Sequence, residues 1–270
     1  MTESKRSKDH DRHFAAWFLL FLLIAPILSA HDMYIRPHVD KKNANRVSLA
    51  MVLQKEEVVW FESMTANLRM NGPSGEANLT VPDEGDPFVD FDKPGTYEIG
   101  WESTPTFILV ETDIFKKYIT LEGYTDAINS RKADGKEDQP GREIYSRYVK
   151  TFIQVGSTLT EHYSEPFGYK IEIIPLQNPC SVSVDSDLEV RVLYNGKPLP
   201  NHKIFATYES YSEDPIDYAQ VTLTDENGIA RFQITHKGLW LIRTNQMIPL
   251  EDNSEADWQS FWANCTFEVK

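Results

Sequence analysis

Residues 141–156 read GREIYSRYVKTFIQVG, and their conformation decides where the β-structure of this chain is interrupted. At helical spacing Ile144, Tyr145, Tyr148 and Phe152 share one face, while Glu143 and Arg147 make an i,i+4 pair of opposite charge. The pattern predicts a solvated amphipathic helix lying on a sheet. Upstream, ETDIFKKYITLEGY (111–124) has the same character, and the polar loop SRKADGKEDQPG (130–141) joins the two. Helices are therefore expected around residues 111–156.

Outward from that segment the chain alternates with period two. On the amino-terminal side NRVSLAMVL, VVWFE, ANLRM, ANLTV and TYEIGWE are separated by the turn clusters NGPSGE, PDEGDP and DKPG. On the carboxy-terminal side LEVRVLY and KPLPNHKIFATYE flank one Asn-Gly, and VTLTDE and IARFQI flank another. LWLIRTNQM and FWANCTFEV close the chain. The expected fold class is mainly β, with two β-sandwich domains. Residues 31–169 would form the first, carrying the helical insertion, and residues 170–270 the second, immunoglobulin-like or transthyretin-like. Its first and last strands would bring together Cys180 and Cys265, the two cysteines of the chain. A disulfide there closes a loop of 85 residues and is worth about 4 kcal/mol in the chain-entropy model. The alternative is two buried thiols.

Residues 1–30 read as a secretory signal peptide: a basic stretch, an apolar run from Phe14 to Leu28, then Ser29 and Ala30. The run spans about 22 Å as a helix, short of the ~30 Å hydrocarbon core. Leu28 is larger than the usual residue three before a cleavage point, so an uncleaved anchor is the alternative. The expected destination is the periplasm or the medium. Cleavage removes Lys5, Arg6, Lys8 and Arg12 with Glu3, Asp9 and Asp11, taking the formal charge from −14 to −15. So acidic a chain repels phosphate backbones, which argues against a nucleic-acid partner.

No nucleophile elbow, H-E-x-x-H, P-loop or dinucleotide glycine pattern is present, which favours a non-enzymatic role. The histidines carry more. His38, His162, His202 and His236 are isolated from one another. His31 differs, because cleavage after Ala30 gives it an α-amino group beside its imidazole, and the two nitrogens chelate one ion. Such a site suits nickel, cobalt or copper. In a strand starting there, His31, Met33 and Ile35 share a face opposite Asp32, Tyr34 and Arg36.

AHDMYIRP, GREIYSRYVKTFIQVG, PFGYKIEIIPLQNP, VRVLYNGKPLPNHKIFA, DENGIARFQI and EADWQSFWANCTFEV, in that order, resemble the exported bacterial family labelled NikM-like, of unknown function and associated with nickel and cobalt uptake. The resemblance implies a periplasmic protein of β-sandwich parts. It picks out His31, then Arg142, Glu143, Tyr145 and Arg147, then Asp257, Trp258 and Ser260. Where the family often carries a His-Met pair this chain has Gln246-Met247, so Asp257 is the expected oxygen ligand, meeting His31 at the junction of the sandwiches. The expected function is a non-enzymatic accessory or binding protein for a small solute or divalent metal, working beside a membrane transporter or outer-membrane receptor. The competing reading is an interaction module for a partner protein or glycan, using Tyr208, Tyr211 and Tyr218 around SYSEDPIDY. A third is a copper oxidase with a second histidine near His31.

Intact-mass measurement of exported protein is expected to give a chain starting at His31. A mass retaining the apolar run, or starting beyond His31, removes the chelating amine.

Overall fold

The computed structural model describes residues 32–270. The expected signal peptide and His31 lie outside the described residues. The described residues form three sheets and two α-helices. A small outer sheet is formed by β1 (Met33–Val39), β2 (Arg46–Leu53) and β3 (Glu56–Val58), with β6 (Phe88–Asp90) also pairing with β2. A second outer sheet has β10 (Ile171–Pro175), β11 (Asp187–Tyr194), β12 (Lys197–Pro198) and β15 (Ile229–Gln233).

Between them lies a nine-stranded sheet. Its order runs β14 (Gln220–Leu223), β13 (Lys203–Tyr208), β16 (Gly238–Pro249), β17 (Trp258–Val269), β9 (Gly141–Val155), β7 (Gly95–Ser103), β4 (Thr65–Asn71) and β5 (Ala77–Asn78). The ninth strand, β8 (Thr106–Val110), pairs with the start of β9. Every pairing is antiparallel except β17 with β9, which runs parallel from Glu143 opposite Trp258 to Phe152 opposite Phe267. The central sheet thus draws strands from both sides of the boundary expected at residue 169.

The helical reading of 141–156 is overturned: Gly141–Val155 is the longest strand among the described residues. The spacing that suggested a helix is also an even spacing. Glu143, Tyr145, Arg147, Val149 and Ile153 project from one face of β9, and Tyr148, Lys150 and Phe152 from the other. Both faces are covered, so β9 has no solvent stripe and shows no clean alternation. Among the described residues the α-helices are α1 (Thr112–Glu122) and α2 (Thr125–Ala133). The Glu111 carboxylate accepts from the amides of Asp113 and Ile114 at the start of α1, and Gly123 closes it at φ 81°. Helix α1 lies on the beginning of β9. A Cβ on Gly141 would come within 2.2 Å of the Phe115 ring, so glycine is required for that approach.

Alternation along the central strands divides the core. Leu239 and Leu241 of β16 join Ile35, Leu49, Val149 and Trp101 beneath the first outer sheet. Trp240 and Ile242 join Phe152, Ile173, Val190 and Phe232 beneath the second. Further along the first face, Tyr145, Met247, Trp258 and Trp262 pack against Phe115, Tyr118 and Ile119 of α1.

Cys180 and Cys265, expected as a disulfide pair, are both free thiols in this structure. Cys180 is not on a strand. It sits on the 3-10 turn Pro179–Ser181, where its amide donates to the Asn178 side chain. Cys265 is held mid-strand between Ile242 and Lys150. Ladders and cap hold both backbones in place, and the apolar core they share shields both sulfurs. Burial pushes each thiol up to about 12, leaving about one thiolate in ten thousand at pH 8. A thiol reagent is expected to find two thiols in guanidinium without reductant and to react at least 100-fold more slowly with native protein. No thiols in the denatured chain would restore the disulfide.

Candidate functional site

The helices and the first outer sheet cover the same face of the central sheet, and where they meet a buried polar seam crosses it. Its first part is built around Arg243, on β16 and almost fully buried. The guanidinium donates through Nη1 to Glu122 Oε1 at 2.6 Å and through Nε to the Tyr218 hydroxyl at 2.9 Å. That hydroxyl donates to Asp32 Oδ2 at 2.8 Å, and Asp32 Oδ1 lies 3.4 Å from Arg243 Nε. The Phe205 ring lies 3.8 Å from the guanidinium carbon. Two carboxylates hold the arginine charged well above its usual range despite its burial. Burial raises the pKa of Glu122, with Arg243 opposing.

The seam continues under α1. Tyr124 donates to Asn245 Oδ1, and the Asn245 amide reaches the Tyr118 hydroxyl at 3.5 Å. His202, whose pKa burial lowers against the pull of the Asn245 carbonyl, donates to that carbonyl through Nε2 at 2.7 Å. Tyr118 stacks on Trp262 at 5.4 Å, and the Trp262 indole donates to Ser260 Oγ at 3.0 Å. Ser260 in turn donates to Glu143 Oε1, while Glu143 Oε2 has no hydrogen-bond donor. Desolvation pushes Glu143 up to about 7, against the pull of Ser260 and Arg147.

The seam anchors the start of the described chain. Besides Asp32, the Met33 carbonyl accepts from Asn264 Nδ2 at 2.5 Å and the Ile35 carbonyl from Thr266 at 3.0 Å. Asp32 and Tyr34 also line a small cleft with Glu209, Asp214, Asp217 and Lys55.

Glu143, Arg147 and Ser260 come together in this region, and Tyr145 and Trp258 pack under the helices. Asp257 is engaged elsewhere: its carboxylate lies 3.1 Å from Lys136 Nζ and 3.9 Å from Arg142 Nη1. A dication there would have to displace two cations. Among the described residues no group of three or more His, Cys, Asp or Glu side chains is placed to hold a metal ion, so these residues alone do not fit one. Of the tyrosines expected as an exposed cluster, Tyr208 is buried, Tyr218 is half-buried and Tyr211 is exposed. Tyr208 stacks on His236.

Asp32, Tyr118, Glu122, Tyr124, Asn245 and Arg243 escaped the sequence reading as site residues. The signal available was an arginine and an asparagine inside the apolar run LWLIRTNQM, since a charge at the centre of a buried strand needs a buried partner.

A family model described as a domain of unknown function, DUF4198, matches residues 28–248. The chain belongs to this family. The matched region spans the described amino-terminal strand, all of β9 and most of β16. No curated protein matches the chain. Among solved structures, the D0-D1 domain of Intimin matches 88% of this chain and 98% of its own at 12% identity and a TM-score of 0.20. So low a score carries no argument, and the fold rests on its own ladders.

The raised Glu143 has a pH consequence with a definite sign. The folded state holds a proton that the unfolded chain releases between about 4.5 and 7, so this contribution is full below 4.5 and is lost as pH rises through 7. Glu143→Gln mimics the protonated form. Relative to wild type it is expected to gain about 2 kcal/mol between pH 5 and pH 8. Urea melts at both values test this, and an unchanged difference would contradict it.

Proposed function

We propose that the protein is an exported, non-enzymatic binding protein that takes a divalent transition metal at its mature amino terminus and serves nickel or cobalt uptake beside a membrane transporter or outer-membrane receptor. The observation that carries this reading is the anchoring of Asp32. The residue after His31 is buried and held by Tyr218 and Arg243, with the next carbonyl held by Asn264. Cleavage after Ala30 would place the amine one residue from this anchor. Ordering a free terminus costs about 1–2 kcal/mol per residue, and Asp32, the first described residue, is already held by the fold. In the cleft beside Asp32, Glu209 is paired with Arg36, and Asp214 and Asp217 against Lys55 leave a net negative charge that adds attraction for cations.

The terminal amine and the imidazole would supply two nitrogens, and copper is the third candidate ion beside nickel and cobalt. The same proposal includes the finer view of the fold, residues 170–270 as an immunoglobulin-like or transthyretin-like sandwich. Its support is the shared core of β10, β11 and β15 with β13, β16 and β17. The competing reading, a module binding a partner protein or glycan, draws on Tyr211 and Ile216, which are 39% and 41% exposed on the loop carrying SYSEDPIDY.

Calorimetric titration of cleaved protein with nickel, cobalt and copper is expected to show one ion per chain, at least tenfold weaker in His31→Ala. Equal binding by both would mean that the acidic surface collects the metal. Asp257→Asn tests the expected oxygen ligand. Weakened binding means Asp257 exchanges its cations for the metal, and unchanged binding means the terminus acts without it.

A further inference from the structure

We propose that the first outer sheet and the rim of the central sheet enclose a binding site for a neutral, apolar, ring-bearing small molecule. Alternation at the start of β1 turns Asp32 and Tyr34 toward the acidic cleft and Met33 toward a separate cavity of about 310 Å³. Met33, Met51, Met64, Trp60, Trp101 and Val58 line it. Its volume is that of roughly ten waters at about 30 Å³ each and lies at the lower end of the ~300–1,000 Å³ range of small-molecule sites. A single ion would leave it nearly empty.

The wall chemistry decides the ligand class. Both indole N–H groups are already used: Trp60 donates to the Leu49 carbonyl at 2.6 Å and Trp101 to Thr65 Oγ1 at 3.0 Å. The Thr65 hydroxyl donates in turn to the Phe61 carbonyl at 3.3 Å. Glu57, the one charged lining residue, is met by Arg36 Nη1 at 3.0 Å and His38 Nε2 at 2.7 Å. Few polar groups in the lining are left for a ligand, and the one charge, Glu57, already has two basic partners on Oε1, so an anionic ligand would lose its hydration with little compensation.

Apolar matter is well served. Trp60 and Trp101 meet edge to face at 6.0 Å and 85°, presenting ring surface to the void. Three of the six methionines in the chain border the same space. Thioether side chains adapt to irregular shapes and make favourable contacts with aromatic rings. Val59, 66% exposed, lies at the mouth and extends the apolar wall outward. The site is independent of any metal at the terminus.

The test uses the purified protein, N-phenyl-1-naphthylamine as the neutral probe and anilinonaphthalene sulfonate as its anionic counterpart. Wild type is expected to bind one neutral probe per chain saturably, with quenching of tryptophan emission, and to bind the anion at least tenfold more weakly. Met64 is only partly buried, so Met64→Trp fills the void from its edge and is expected to weaken the neutral probe at least tenfold. Methyl NMR of labelled methionines gives a readout on wild type alone. The probe should shift Met33, Met51 and Met64 and leave Met70 and Met247 in place. No saturable binding, equal binding of the anion, undiminished binding by a folded Met64→Trp, or shifts outside the three methionines would each overturn the proposal.

Discussion

The parallel pairing of β9 with β17 is the constraint on which the rest of the structure depends. It is the one parallel ladder among the described strands, and it joins segments more than a hundred residues apart at the middle of the central sheet. A ladder in that position has layers on both faces, so most residues along it are buried on one side or the other. Side chains at even and odd positions of β9, β16 and β17 therefore sort into separate clusters. This is why Leu241 and Ile242, adjacent in sequence, serve different outer sheets.

Burial on both faces also brings polar side chains inside, and the two faces handle charge in the same way. On the first face Arg243 meets Asp32 and Glu122. On the other, Lys150 meets Glu98 at 2.7 Å and Glu172 at 2.6 Å. Each is one buried cation against two carboxylates, an arrangement in which one carboxylate is easily protonated. Desolvation does push Glu98 up to about 7, against Lys150. Removing one partner from such a cluster leaves an uncompensated buried charge, a loss of about 3–5 kcal/mol. The clusters tie distant segments together: Glu172 also accepts from the amides of Phe167 and Gly168, pinning the approach to β10, as Asp32 pins the approach to β1.

The start of β1 is where these constraints meet function. Three successive residues alternate between two environments there: Asp32 and Tyr34 at the cleft, Met33 between them in the apolar cavity. One strand end thereby separates a carboxylate-lined cleft from an apolar cavity. The separation follows from period-two alternation and needs no further structural device.

Much of this was legible in the sequence. Alternating runs and Asn-Gly turns determined a mainly β chain, and ETDIFKKYITLEGY determined the first helix, because local periodicity and turn chemistry act over a few residues. Glu143, Arg147 and Ser260 were marked by resemblance alone. What the sequence left ambiguous was GREIYSRYVKTFIQVG, since i,i+4 spacing is compatible with a helix face and with a strand face. Only the tertiary structure decided it, because burial on both faces comes from partners far away in the chain. The same reason hid Asp32, Glu122 and Arg243. A buried ion pair is a relation between segments, and its members look like ordinary surface charges until the sheet brings them together.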